Sequence, residues 1–200
     1  MDKAKIRLSS KEMELVTNAD WILTKNTIIE KAKNLFGELQ EVMTEHLRLV
    51  ATDNYTRVSP KISKGENYRG LPYLILDCPR LFEKENIFAI RTMFWWGNFF
   101  SITLHMAGSY KKLYEEKCIR AFPVFSDNHF FICINNEQWE HHFDPLNYAA
   151  INDLSQTEWE KINKANTFIK IANKHSLHQW DDVINNLVVD FKVLTDVILS

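Results

Sequence analysis

The stretch from Ile87 to Met106 constrains the fold more than any other part of the chain. It runs IFAIRTMFWWGNFFSITLHM, two segments rich in aromatic and β-branched residues joined by Gly97-Asn98. Such segments favour strands, and a Gly-Asn pair suits a tight hairpin loop because both residues tolerate positive φ. The sequence therefore predicts a β-hairpin with a two-residue loop, in which Trp96 faces Phe99.

This register sorts the side chains of the hairpin onto two faces, since side chains alternate along a strand. One face is expected to be almost wholly apolar and to form core: Ala89, Arg91, Met93, Trp95, Phe100, Ile102, Leu104 and Met106. The other mixes aromatic and polar groups: Phe88, Ile90, Thr92, Phe94, Trp96, Phe99, Ser101, Thr103 and His105. A mixed face is typical of a pocket wall. The alternative is a sheet face half covered by a helix, because cross-strand aromatic pairs also stabilise sheets.

We expect a binding cleft on the mixed face. Its predicted lining is Phe94, Trp96, Phe99, Ser101, Thr103 and His105, flanked by Tyr68 and Arg69. The flanking residues belong to residues 52–70, the longest segment without clear periodicity, which is also the most basic and could hold a short strand around 55–62. Long ordered loops are often functional. This one is either a solvated connection or a flap whose Arg69 or Lys64 meets an anionic ligand.

Two helix-start signals occur in the N-terminal quarter. Ser9 and Glu12 form a capping-box pattern that predicts a short helix ending near Asn18, followed by a connection over residues 20–23. Thr27 and Glu30 repeat the pattern. From there apolar residues recur at steps of three and four as far as Val50, which predicts one long amphipathic helix.

The second half of the chain is expected to hold strands and then helices. Residues 71–78 predict a buried strand, and residues 118–125 and 129–134 predict a second hairpin. Ser155 and Glu158 form another capping box, whose helix is expected to reach about Asn173. Ser176 is expected to open a last helix with an apolar stripe from Trp180 to Ile198, which would pair with the preceding helix.

These elements predict an α+β protein with one domain over residues 1–200. Its expected core is an antiparallel sheet of about four to six strands in the middle of the chain. A long N-terminal helix and a C-terminal antiparallel helix pair are expected to pack on that sheet.

His141, His142 and Asp144 are the only cluster of several metal-ligand types close in sequence. Adjacent histidines diverge on a regular strand, and a metal site would need His105 or His129 as a further ligand. We therefore expect no metal and no cofactor. A hydrolase-like enzyme that uses His105, His141, His142 and Asp144, with or without metal, is the alternative.

Other catalytic signatures are weak or missing. Cys78 ends a predicted strand, where a nucleophile could sit, but a lone buried cysteine is usually a small hydrophobe. The chain has no GxSxG elbow, Walker A loop or dinucleotide fingerprint. The sequence therefore does not favour any particular reaction.

Composition narrows the choice of partner and compartment. The formal net charge of −2 gives no electrostatic case for nucleic acid or an anionic membrane. The chain has no apolar run that would span a bilayer, its N-terminus lacks the apolar core of a signal peptide, and its three scattered cysteines suit a reducing compartment. We expect a cytoplasmic, non-enzymatic protein that binds a small molecule or a protein partner. A homodimer formed through the stripe from Trp180 to Ile198 is a further alternative.

Overall fold

The computed structural model describes residues 6–51 and 53–199, in which helices and strands alternate in blocks. The helices are α1 (Ser10–Thr17), α2 (Ala19–Val50), α3 (Asp53–Thr56), α4 (Ser109–Arg120), α5 (Phe122–Asp127), α6 (Gln156–Ala165) and α7 (Val183–Leu199). The strands are β1 (Lys61–Tyr68), β2 (Leu71–Phe82), β3 (Ile87–Trp95), β4 (Phe99–Ala107), β5 (Phe131–Cys133), β6 (Tyr148–Ala150) and β7 (Phe168–Ser176).

All the strands join one antiparallel sheet in the order β1-β2-β3-β4-β7-β5-β6. The α+β class, the long N-terminal helix and the C-terminal helix are therefore confirmed. Among the described residues the sheet has seven strands rather than four to six, because β6 and β7 both lie in segments in which no strand was expected.

One face of the sheet carries the main core, and we call it the helix face. Helices α2, α4 and α7 pack on it through apolar side chains. The α7 stripe is part of this core, since Leu187, Phe191 and Leu194 are fully buried there beside α2 and β4. Much of that stripe is therefore packed inside the fold, and a dimer interface formed through it stays a prediction.

The N-terminal capping box is confirmed at α1. The Ser9 hydroxyl accepts from the Glu12 amide at 3.3 Å, and the Ser9 amide donates to the Glu12 carboxylate at 2.6 Å. The long helix is also confirmed, but its expected start at Thr27 is wrong. The Asn18 side chain caps the helix instead, so residues 20–23 are helical rather than a connection.

The central hairpin is confirmed, but its register is wrong by one residue. Trp95, not Trp96, pairs with Phe99, so the loop has three residues. The reason is a contact outside the hairpin: the Trp96 amide donates to the Pro72 carbonyl at 3.0 Å, which keeps Trp96 with β2. A one-residue shift exchanges the faces of an entire arm. Phe99 and the polar side chains of β4 therefore lie on the same face of the sheet as Arg91. Phe94 lies on the other face.

The expected second hairpin is wrong in its first arm. Residues 118–125 are helical, because α4 continues to Arg120 and α5 then begins at Phe122. Pro123 stands in the first turn of α5, where its missing N–H leaves no hydrogen bond unmade. The second arm is confirmed as β5, which pairs with β6 and β7.

Two further boundaries differ from expectation. The capping box at Ser155 and Glu158 is confirmed, but α6 ends at Ala165 and the segment expected to reach Asn173 as a helix becomes β7. A strand therefore separates the two C-terminal helices. The segment expected as a loop with a strand at 55–62 holds β1 instead, an edge strand paired with β2.

Candidate functional site

The second face of the sheet is covered by residues 134–147, which connect β5 to β6. We call this segment the covering loop and the face beneath it the loop face. The Tyr68 hydroxyl holds the loop: it donates to the Glu140 carboxylate at 2.9 Å and accepts from the amides of His141 and His142 at 2.6 and 3.1 Å. Burial is the main cause that raises the pKa of Tyr68 to about 12, so the hydroxyl keeps its proton near neutral pH.

Five charged or ionisable residues meet where this loop covers the sheet, and we call them the polar cluster: Asp77, Arg91, His105 and Lys170 from the strands and His141 from the loop itself. Four neighbouring strands place four of them on one face of the sheet. Asp77 on β2 pairs with Arg91 on β3, and His105 on β4 pairs with Lys170 on β7. These two pairs lie next to each other on the sheet, because Arg91 pairs with Thr103, which is two residues before His105 on β4.

Asp77 neutralises Arg91. The guanidinium donates to both carboxylate oxygens, at 2.8 and 3.0 Å, in the bidentate geometry that suits this pair. The remaining surface of the guanidinium contacts the rings of Phe82 and Trp139, with centroids 5.7 and 5.9 Å away. The Arg91 charge therefore already has its partner within the fold.

Lys170 has a different environment. Its side chain is buried, with 1% of the residue exposed. Its Nζ donates to the main-chain carbonyl of Glu140 at 2.5 Å and lies 5.5 Å from the centre of the Tyr148 ring. Within residues 6–51 and 53–199 no carboxylate forms an ion pair with it, and Glu140 and Glu137 act on it only from a longer distance. Burial lowers the pKa of Lys170 to about 8, so the ammonium still predominates at pH 7.

The two histidines of the cluster do not balance this charge. Burial, and then the charge of Lys170, lower the pKa of His105 to about 3 and hold that of His141 well below its ordinary value. Both imidazoles are therefore neutral at pH 7. His105 Nε2 lies 3.1 Å from the Gln138 side-chain oxygen, and His141 Nε2 lies 3.4 Å from Arg91 Nη1. The described cluster thus carries two positive charges and one negative charge.

Aromatic rings surround the cluster. Trp139 packs against His105 with ring centres 5.3 Å apart, and Phe143 stacks on Tyr148 at 4.7 Å. Phe143 also meets Phe99 edge-on at 5.2 Å. The loop face therefore combines an ammonium, neutral imidazoles and apolar ring surface, a combination that can receive an anionic group attached to an apolar body.

The structure divides the eight predicted ligand-binding residues between the two faces. Tyr68, Phe99, Ser101, Thr103 and His105 belong to the loop face, and Arg69 lies at its margin, where it pairs with Asp144 at 2.9 Å. Phe94 and Trp96 lie on the helix face and line a small apolar pocket of about 310 Å³ with Trp180. The expectation that all eight share one cleft is therefore wrong, because the hairpin register differs by one residue.

Sequence reasoning missed Asp77, Arg91 and Lys170. Arg91 was assigned to an apolar core face, and Lys170 to a helix. Each is a single charged residue within a run of strand-forming apolar residues, as in Phe168-Ile169-Lys170-Ile171. A lone charge at a position that alternation predicts to be buried was the available signal.

The residues of the hydrolase alternative separate into two groups. His105 and His141 join the polar cluster, whereas His142 contacts Asp144 at 3.0 Å and Glu140 at 3.2 Å. In the described part of the chain, no three His, Cys, Asp or Glu side chains are placed to hold a metal ion. Burial raises the pKa of the Cys78 thiol to about 12, so it is protonated at neutral pH.

Comparisons with protein-family models, with curated protein sequences and with solved structures found no match to this chain. Among the described helices, none combines the length and apolarity that a membrane crossing requires.

Proposed function

We propose that this is a binding protein for a small molecule that carries a carboxylate on an aromatic or apolar body. The ligand would lie on the loop face, with its carboxylate at Lys170. The observation that carries the proposal is the buried Lys170 ammonium, whose partner in the fold is a main-chain carbonyl rather than an anion.

The energetic argument concerns the missing counter-charge. An ammonium removed from water without an anion costs several kcal/mol, and a fold retains such a group when something else requires it. Asp77 is engaged on both oxygens by Arg91 and is therefore not available to Lys170. A ligand carboxylate would supply the missing charge.

The neighbouring groups suit a carboxylate with a ring. His105 stands directly opposite Lys170, and side chains that face each other across strands start about 5 Å apart. An imidazole N–H and an ammonium on side chains that extend from such neighbouring positions can donate to the two oxygens of one carboxylate. Trp139 and Phe143 would then cover the apolar body of the ligand.

Binding requires the covering loop to move, because the Glu140 main-chain carbonyl accepts the hydrogen bond of Lys170 Nζ that the ligand would need. In the proposed complex the ligand carboxylate replaces that carbonyl. The loop carries its own acidic residues, Glu137, Glu140 and Asp144, so in the closed state it shields the basic face that an anion would enter.

The test is calorimetry and thermal unfolding of the purified protein with benzoate and indole-3-acetate. Benzamide, which has the shape of benzoate without its charge, is the ligand control. Lys170→Met is expected to abolish binding, whereas Lys112→Met, at an exposed position on α4, is expected to bind as the unmodified protein does. Equal responses to benzoate and benzamide, or unchanged binding by Lys170→Met, would contradict the proposal.

We also propose that the protein works in the cytoplasm. The support is that Cys78, Cys118 and Cys133 are all buried free thiols, a state that a reducing compartment maintains.

A further inference from the structure

The first part of the described chain extends away from the core. We call residues 6–24 the N-terminal arm; it comprises α1 and the first turns of α2. Every residue of the arm is exposed, and the first buried residue of α2 is Ile29. The arm is therefore a helical projection that contributes nothing to the main core.

The arm is nevertheless rich in apolar side chains. Its exposed large hydrophobic residues are Ile6, Leu8, Met13, Leu15, Val16, Trp21, Ile22 and Leu23. A helix as short as α1 is marginal in water without packing, even with its capping box. An apolar patch of this extent on a projecting helix pair marks an interaction surface.

The shape of the arm makes it complementary to itself. The angle between α1 and α2 encloses an apolar groove of about 590 Å³, whose lining includes Leu15, Val16, Trp21 and Ile22. Leu8, Met13 and Leu23 are exposed outside that lining. A two-fold contact requires one patch to offer both a cavity and the side chains that fill it, and the arm offers both.

The charges of the arm also favour a second copy over other occupants. Its basic residues, Arg7 and Lys11, precede its acidic residues, Glu12, Glu14 and Asp20. When two arms run antiparallel, the basic end of each lies against the acidic end of the other. With two basic and three acidic residues, the arm itself has no excess of positive charge that would favour an anionic membrane or nucleic acid.

We infer that the N-terminal arm is a homodimer interface, in which the groove of each copy receives apolar side chains from the arm of the other. The inference is independent of the proposed ligand, because the arm and the polar cluster share no residue. It places self-association on the arm rather than on the α7 stripe, much of which is packed inside the fold.

The test is sedimentation equilibrium of the full chain over a range of concentrations. The unmodified protein is expected to be a dimer that dissociates on dilution, and the double variant Val16→Glu/Ile22→Glu is expected to be a monomer. Both positions are exposed, so the folded core should survive, as circular dichroism can check. Val189→Glu, at an exposed apolar position of α7, is the matched control and is expected to remain dimeric.

Three results would overturn the inference. The first is an unmodified protein that is monomeric at every concentration. The second is a double variant that still dimerises, which would place the interface elsewhere. The third is a monomer whose arm instead associates with phosphatidylcholine vesicles, which would assign the apolar patch to a membrane surface.

Discussion

Lys170 on β7 lies directly opposite His105 on β4, and both side chains are buried under one loop. The pair joins a charged ammonium to an imidazole whose pKa has fallen to about 3, with burial as the main cause and the Lys170 charge as the second. Neither group finds a carboxylate partner among the described residues. This relationship is the basis of the proposed carboxylate site.

Lys170→Met is expected to make the unliganded protein more stable. The substitution removes a buried charge without an anionic partner, at the cost of one hydrogen bond to the Glu140 carbonyl. The expected gain in the free energy of unfolding is about 1–3 kcal/mol. Urea denaturation at pH 7 measures it, with Lys112→Met expected to change stability by less than about 0.5 kcal/mol. A loss of stability in Lys170→Met would show that the charge is well compensated within the fold.

Asp77→Asn is expected to destabilise the protein. It leaves the Arg91 guanidinium, which is largely enclosed, without its bidentate partner. The expected loss is about 3 kcal/mol, and the double variant Asp77→Asn/Arg91→Met should recover most of it because no unpaired charge remains. Additive losses in the double variant would show that the two residues do not act as a pair.

The stability of the protein is expected to fall as the pH is lowered through the range 6.5 to 3. The pKa of His105 is about 3 in the folded state and 6.5 in the unfolded chain, so between these values only the unfolded state holds the proton. One such histidine contributes a slope of about 1.4 kcal/mol per pH unit. His105→Gln keeps a neutral hydrogen-bonding group and should reduce the slope by that amount. An identical slope in the variant, measured by urea denaturation from pH 7 to pH 5, would mean that His105 titrates normally.

Tyr68→Phe is expected to loosen the covering loop. The substitution removes a hydroxyl that accepts from two loop amides and donates to a loop carboxylate. The His141 and His142 amides should exchange faster with solvent, and stability should fall by about 1–3 kcal/mol. Tyr73→Phe, at the neighbouring ring, is the control in hydrogen exchange followed by mass spectrometry. Unchanged exchange in Tyr68→Phe would show that other contacts hold the loop.

The sequence predicted those elements whose signals are local. The capping boxes at Ser9 and Ser155, the α2 stripe and the hairpin strands all follow from periodicity and cap chemistry within a few residues. The local pattern around Pro123 is ambiguous, because a proline that interrupts a strand pattern also suits the first turn of a helix. Local patterns therefore identified most helices and the central hairpin, but not every boundary.

The rest depended on contacts between distant segments. The hairpin loop length follows from a hydrogen bond between Trp96 and Pro72, and β7 forms because β4 and β5 pair with it. Neither contact has a signal within the segment concerned. Of the polar cluster, the sequence alone singles out His105 and His141, whereas the place of Lys170 depends on the pairing of β7 with β4.

The most direct test of the carboxylate site is an NMR titration of the isotope-labelled protein with benzoate, with amide shifts followed along the chain. We predict that the largest shifts fall on β4 and β7 around His105 and Lys170 and on residues 138–143 of the covering loop, and that Lys170→Met loses them. Shifts centred on the pocket that Trp96 and Trp180 line, or no shifts with benzoate at all, would contradict the account.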